Sequence, residues 1–120
     1  MIFDTDIFIW VQRGNGKAAQ LIDKDPERFL SVLSYMELLQ DAKDKRQHEH
    51  TYDFLKTYGF QTLPLTENIG HRAAVYIEEY SLSHGIRAAD ALIAATAVEA
   101  GLLLCTSNQK HFRQIKELKL

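Results

Sequence analysis

The sequence predicts a three-layer α/β/α fold with a mainly parallel central sheet of four to five strands. Three observations carry this. Short apolar runs of strand character alternate with longer stretches of helical periodicity along the whole chain. Residues 102–105, Leu-Leu-Leu-Cys, are apolar throughout, as in a strand covered on both faces, and are expected at the centre of the sheet. Between Ala88 and Val98 only Asp90 and Thr96 are polar, so this helix is apolar nearly all round and belongs inside the protein. Strands joined through helices imply right-handed crossovers, with helices on both faces of the sheet.

The elements follow in order. Ile2-Phe3 is a short buried strand ending at Asp4. Thr5 or Asp6 can cap the next helix, with Ile7, Trp10 and Val11 on its inward face. Gly14-Asn15-Gly16 breaks the chain before a short helix over residues 17–23, and Asp25-Pro26 turns it into a second strand at 29–32. Ser34 opens a helix, with Glu37 three residues on as its capping-box partner. Residues 41–46 are a polar break or a solvated helical stretch, and residues 50–58 are helical up to Gly59. A third strand spans 60–65. Thr66-Glu67 then starts a long helix with Ile69, Ala73, Tyr76, Ile77 and Tyr80 at helical spacing, ending near Gly85. The Asp90 helix stops at Gly101, a good C-terminal cap. After the 102–105 strand, Thr106-Ser107-Asn108 turns into a short helix, and residues 115–120 can add an edge strand.

The bulk numbers narrow the classes. A chain of 120 residues gives one domain with a real core, 1–120. A net charge of −2 excludes a broadly cationic surface but leaves room for a local basic patch. The single cysteine excludes an internal disulfide, in keeping with a reducing cytoplasm. The apolar start is interrupted by Asp4 and Asp6 and lacks a basic leader, so it does not read as a signal peptide. No run is long enough to span a membrane.

In a parallel sheet, ligands bind beyond the carboxyl ends of the strands. Asp4 follows the first strand, Ser34 and Glu37 the second, and Thr106 and Asn108 the fourth, while the Asp90 helix leads into that fourth strand. Carboxylates gathered in one place raise one another's pKa and remain ionised together only around a cation. All-oxygen donors suit a hard ion, Mg²⁺ or Mn²⁺ in its place. His48 and His50, two apart on a helix, do not make a zinc site.

Ile2-Phe3-Asp4-Thr5, Ser34-x-x-Glu37-Leu38, Ala89-Asp90 with its Ala-rich continuation, and Thr106-x-Asn108-x-x-His111-Phe112 together resemble the PIN-domain ribonucleases, most closely the VapC-type toxins of toxin–antitoxin pairs. The resemblance covers essentially the whole chain. It implies a metal-dependent endoribonuclease with Asp4, Glu37 and Asp90 as catalytic acids and metal ligands. It also implies an RNA substrate, a homodimer and a cognate antitoxin protein. Asp6 and Asn108 are further candidate ligands. Thr5, Thr106, Asn108, Lys110 and Arg113 are candidate substrate contacts, with Arg72 as another basic candidate. The family's fourth acidic position falls where Asn108 and His111 stand, which puts a second metal in doubt.

Plainer readings compete at each residue. Glu37 can be a capping-box glutamate, Asp4 and Asn108 helix caps, and Asp6 a favourable charge in a first helical turn. Arg87 can neutralise Asp90, and Trp10, Tyr76 and Tyr80 can be core aromatics. Two other functions compete as well. One is a non-catalytic RNA- or protein-binding domain of the same fold. The other is a haloacid-dehalogenase-type phosphatase with Asp4 as nucleophile, which Phe8 and the lack of a late Asp pair speak against.

Overall fold

A computed structural model describes residues 1–120. Four strands, β1 (Ile2–Phe3), β2 (Phe29–Ser31), β3 (Gln61–Leu63) and β4 (Leu104–Cys105), form one all-parallel sheet in the order β3-β2-β1-β4. The helices are α1 (Thr5–Gln12), α2 (Gly16–Lys24), α3 (Val32–Asp41), α4 (Lys45–Thr57), α5 (Glu67–His84) and α6 (Ala88–Ala100), with a 3₁₀ turn at Gln109–His111. This is the predicted α/β/α architecture, with the lower of the two predicted strand counts.

Alternation along β1 divides the core. Ile2 joins Ile69, Ala73, Tyr76, Ile93 and Leu104 on the face covered by α5 and α6. Phe3 joins Ile7, Phe8, Ile22, Leu30, Leu38 and Leu55 on the face covered by α1 to α4. Phe3, Phe8, Phe54 and Phe60 pack edge-on or tilted, with Phe54 stacked on Phe60, and their centroids lie 5.1–6.4 Å apart. In α6, Ala91, Ala94, Ala95 and Ala97 have no exposed surface, as the composition demanded. Thr96 is equally buried and satisfies its hydroxyl on the Leu92 carbonyl at 2.7 Å.

Several expectations need correction. β4 is an edge strand, not a central one. Of its apolar run Leu104 is buried, Leu102 and Cys105 are half-buried and Leu103 is exposed, and on its outer side the Leu104 N–H donates to the Lys119 carbonyl at 2.9 Å. Residues 115–120 make that contact without forming a strand. Helix α3 starts three residues early because β2 runs straight into it. Ser31 is its cap, accepting from the Leu33 N–H at 3.1 Å, and Ser34 lies inside the first turn. Helix α4 begins at Lys45 rather than near residue 50, capped by Asp44. The inward face of α1 is Ile7 and Phe8, and Trp10 is 41 % exposed. No helix is long and apolar enough to cross a membrane.

Candidate active site

The strand order places a topological switch point between β1 and β4. The chain leaves β1 toward β2 through one face and reaches β4 on its other side through α5 and α6. The Asp4 N–H extends this pairing by donating to the Cys105 carbonyl at 2.9 Å. Asp4 and Thr106 therefore stand side by side just past the two strand ends.

Asp4 is 7 % exposed and has both oxygens engaged. Oδ1 caps α1 by accepting from the Thr5 N–H at 2.8 Å, and Oδ2 accepts from Thr106 Oγ1 at 2.8 Å. The cap is thus Asp4 itself, not Thr5 or Asp6. Burial, then the neighbouring Asp6 charge, push its carboxyl up from 3.8 to about 7, with Asp90 adding to the rise. The same surroundings, burial first, raise the half-buried Cys105 thiol to about 11, so it is an inert thiol.

Glu37 reaches the site through Thr5. Thr5 Oγ1 lies 2.7 Å from Glu37 Oε1 and 2.8 Å from Ser34 Oγ. Its one proton goes to the carboxylate, leaving a lone pair for the buried Ser34 hydroxyl. The capping-box role for Glu37 falls away, because Ser31 does that work. Asp90, third residue of α6, sits at the rim with its side chain 21 % exposed. Asp90 accepts a long 3.5 Å bond from the Arg87 backbone N–H, and the guanidinium forms no ion pair with it. Instead Asp90 Oδ2 lies 3.4 Å from His111 Nδ1, and that nitrogen lies 3.0 Å from Asn108 Nδ2. Asn108 caps nothing with its side chain, while its N–H donates to Thr106 Oγ1 at 3.1 Å. Hydrogen bonds thus connect Glu37, Thr5, Asp4, Thr106, Asn108 and His111, and Asp90 lies beside the His111 end of this chain.

Asp6 lies beside it. Its Oδ2 accepts from the Ser107 N–H at 3.1 Å and from the Ser107 hydroxyl, and Thr106 Oγ1 is 3.4 Å away. Its Oδ1 is buried without a partner. Ser107 is the polar group that sequence reasoning did not single out; its position between Thr106 and Asn108 was the available signal. Lys110 and Arg113 are exposed on the segment after β4. Arg72 is not near the acids: it ties Glu99 at 3.0 Å to Glu117 at 2.7 Å, and Tyr76 donates to the same Glu117.

The donor set is all oxygen, one carboxyl carries a like-charge penalty, and one buried carboxylate oxygen is orphaned. These features fit a hard divalent cation. No three Asp, Glu, His or Cys side chains already converge on a single coordinating point. A cavity of about 430 Å³ lies elsewhere, between α1, α3 and α4, where Asp41, Asp44, Arg46 and His50 line it.

With this geometry in place, the relatives are informative. The sequence matches the PIN domain family over residues 1–118. It is 33 % identical over 123 residues to "Ribonuclease VapC10" of Mycobacterium tuberculosis, a match covering 99 % of this chain and 90 % of that protein. The fold superposes with TM-score 0.83 on a chain of a toxin–antitoxin complex from Klebsiella pneumoniae, at 29 % identity over 99 % of this chain and 95 % of that one. A chain of VapBC2 from Rickettsia felis, solved with a promoter DNA fragment, shares the fold with TM-score 0.78 at 22 % identity, covering 100 % of this chain and 97 % of that one. A family match across nearly the whole chain, on the predicted fold, leads to one conclusion: this chain belongs to the PIN-domain family.

Proposed function

We propose that the protein is a VapC-type endoribonuclease, the toxin of a VapBC-type pair, dependent on a divalent metal, Mg²⁺ or Mn²⁺ in its place. The observation that carries this reading is the placement of Glu37, Asp4 and Asp90 about one set of polar side chains at the switch point between β1 and β4: hydrogen bonds run from Glu37 through Thr5, Asp4, Thr106 and Asn108 to His111, and Asp90 Oδ2 lies 3.4 Å from the same His111 Nδ1. The kinship with VapC10 and with toxin–antitoxin chains supports it. Asp4, Glu37 and Asp90 would hold the metal, with Asp6 and Asn108 as further oxygen donors. Bound there, the metal supplies phosphate polarisation and a water acidic enough to attack.

The chain's own residues then have separate tasks. Thr106 and the α1 N-terminus fix Asp4, and Thr5 fixes Glu37, so the carboxylates are oriented before substrate arrives. Lys110 and Arg113, exposed beside the rim, neutralise phosphates on either side of the cut. The protein acts in the cytoplasm as a homodimer and is restrained by an antitoxin protein.

The phosphatase reading fares worse. The match to the PIN domain family over residues 1–118 speaks against it. The direct test is cleavage of single-stranded RNA in Mg²⁺. Asp90→Asn should lose at least about 100-fold in rate with its circular dichroism unchanged. Undiminished cleavage by that variant refutes the assignment, and a wild-type protein that binds RNA but never cuts it points to the non-catalytic alternative.

A further inference from the structure

Trp10 was expected in the core, yet it is 41 % exposed while Ile7 and Phe8 on the same helix are 3 % exposed each. Its indole N–H donates to Ser107 Oγ at 3.2 Å, and Ser107 in turn donates twice to Asp6. The exposed ring is therefore pinned to the loop that carries Thr106, the partner of Asp4. Asp6, Trp10 and Arg13 follow helical spacing, so they line one face of α1. Asp4 caps that helix, and at 1.5 Å per residue Trp10 stands about 9 Å beyond it along the axis. The Arg13 guanidinium lies 5.8 Å from the ring centroid and pairs with no carboxylate.

Resting on the nuclease reading above, we propose that Trp10 is a base-stacking platform for single-stranded RNA, and that Arg13 takes the adjoining phosphate. A strand with one phosphate at the acid rim lays the next nucleobase on the indole. Every base offers a π-face, so the contact adds affinity and register without reading sequence. Pinning by Ser107 lowers the ordering cost of using a surface side chain. Asp6 acts here as a positioning residue: through Ser107 it sets the angle of the ring.

Trp10 is the only tryptophan, so intrinsic fluorescence reports this residue alone. The test uses the full chain carrying Asp90→Asn, in Mg²⁺, with a randomised single-stranded RNA of about ten nucleotides. RNA should quench the tryptophan emission over the same concentrations that raise the anisotropy of a labelled copy of the probe. Trp10→Ala should weaken binding about 10-fold, and Trp10→Phe should retain most of it. In the otherwise native chain, Trp10→Ala should raise KM about 10-fold and leave kcat within about two-fold. Emission that stays fixed while anisotropy reports binding overturns the proposal and leaves the nuclease reading standing. So does a folded Trp10→Ala that binds RNA normally but loses a protein partner. If the probe neither binds nor is cut by the wild type, both readings fall together.

Discussion

At the scale of single residues, one carboxylate does two jobs. Asp4 caps α1 and stands at the centre of the acid network, and its environment penalises the charge that both jobs use. In the folded chain the proton stays on up to about pH 7, whereas the unfolded chain releases it near 3.8. The penalty on folding is therefore full above pH 7 and fades as pH falls toward 4. In chelator, Asp4→Asn should melt several degrees above the wild type at pH 8, and the gap should close by pH 4. A gap that ignores pH in thermal melts contradicts the buried-charge account. Thr5 offers a second residue-scale prediction. Thr5→Val removes the hydroxyl between Glu37 and Ser34 and should weaken Mn²⁺ binding about 10- to 100-fold by calorimetry, while Thr5→Ser keeps it.

Much of this residue-level arrangement was legible in the sequence because the fold rule places post-strand residues together. Asp4, Glu37, Asp90, Thr106 and Asn108 were all identifiable from position alone. What could not be read was who bonds to whom. The link from Asp90 to His111 and Asn108 replaces the local Arg87 pairing, and Arg72 spends itself on Glu99 and Glu117, far away in sequence. Long polar side chains choose partners by tertiary proximity, which spacing does not encode.

At the scale of elements, helix ends and helix faces behaved differently. Thr66 caps α5, and the left-handed Gly85 and Gly101 end α5 and α6, as the local chemistry indicated. The start of α3 was misread because Ser31 and Ser34 both satisfy the cap signature, and only the end of β2 decides between them. Ser31→Ala should accordingly cost about 1 kcal/mol in denaturant titrations, and a loss under a few tenths would restore Ser34 to the cap. The α1 face was misread because two overlapping apolar stripes, one through Trp10 and one through Phe8, fit the same period. Phe8 takes the core place because Phe3, Phe54 and Phe60 surround it. Helix α6 makes the sharpest packing prediction: Ala94 has no exposed surface, so Ala94→Leu should destabilise by about 1–3 kcal/mol through overpacking.

At the scale of the whole molecule, the sheet order matters most. Three connections run down the two faces so that β1 separates β2 from β4, and the gap between β1 and β4 collects carboxylates from three stretches of chain. Order within the sheet was the least legible feature, since apolar content reports covered faces and not lateral neighbours; β4 shows this by sitting at the edge. The segment that leaves β4 adds Thr106 and Asn108 to the acid site and goes on to the exposed Lys110 and Arg113. The most direct test is anomalous scattering from a crystal soaked in Mn²⁺. The account predicts a peak bounded by Asp4, Glu37 and Asp90, absent from Asp90→Asn. A protein that cleaves RNA while its crystals show Mn²⁺ anywhere but there would contradict it.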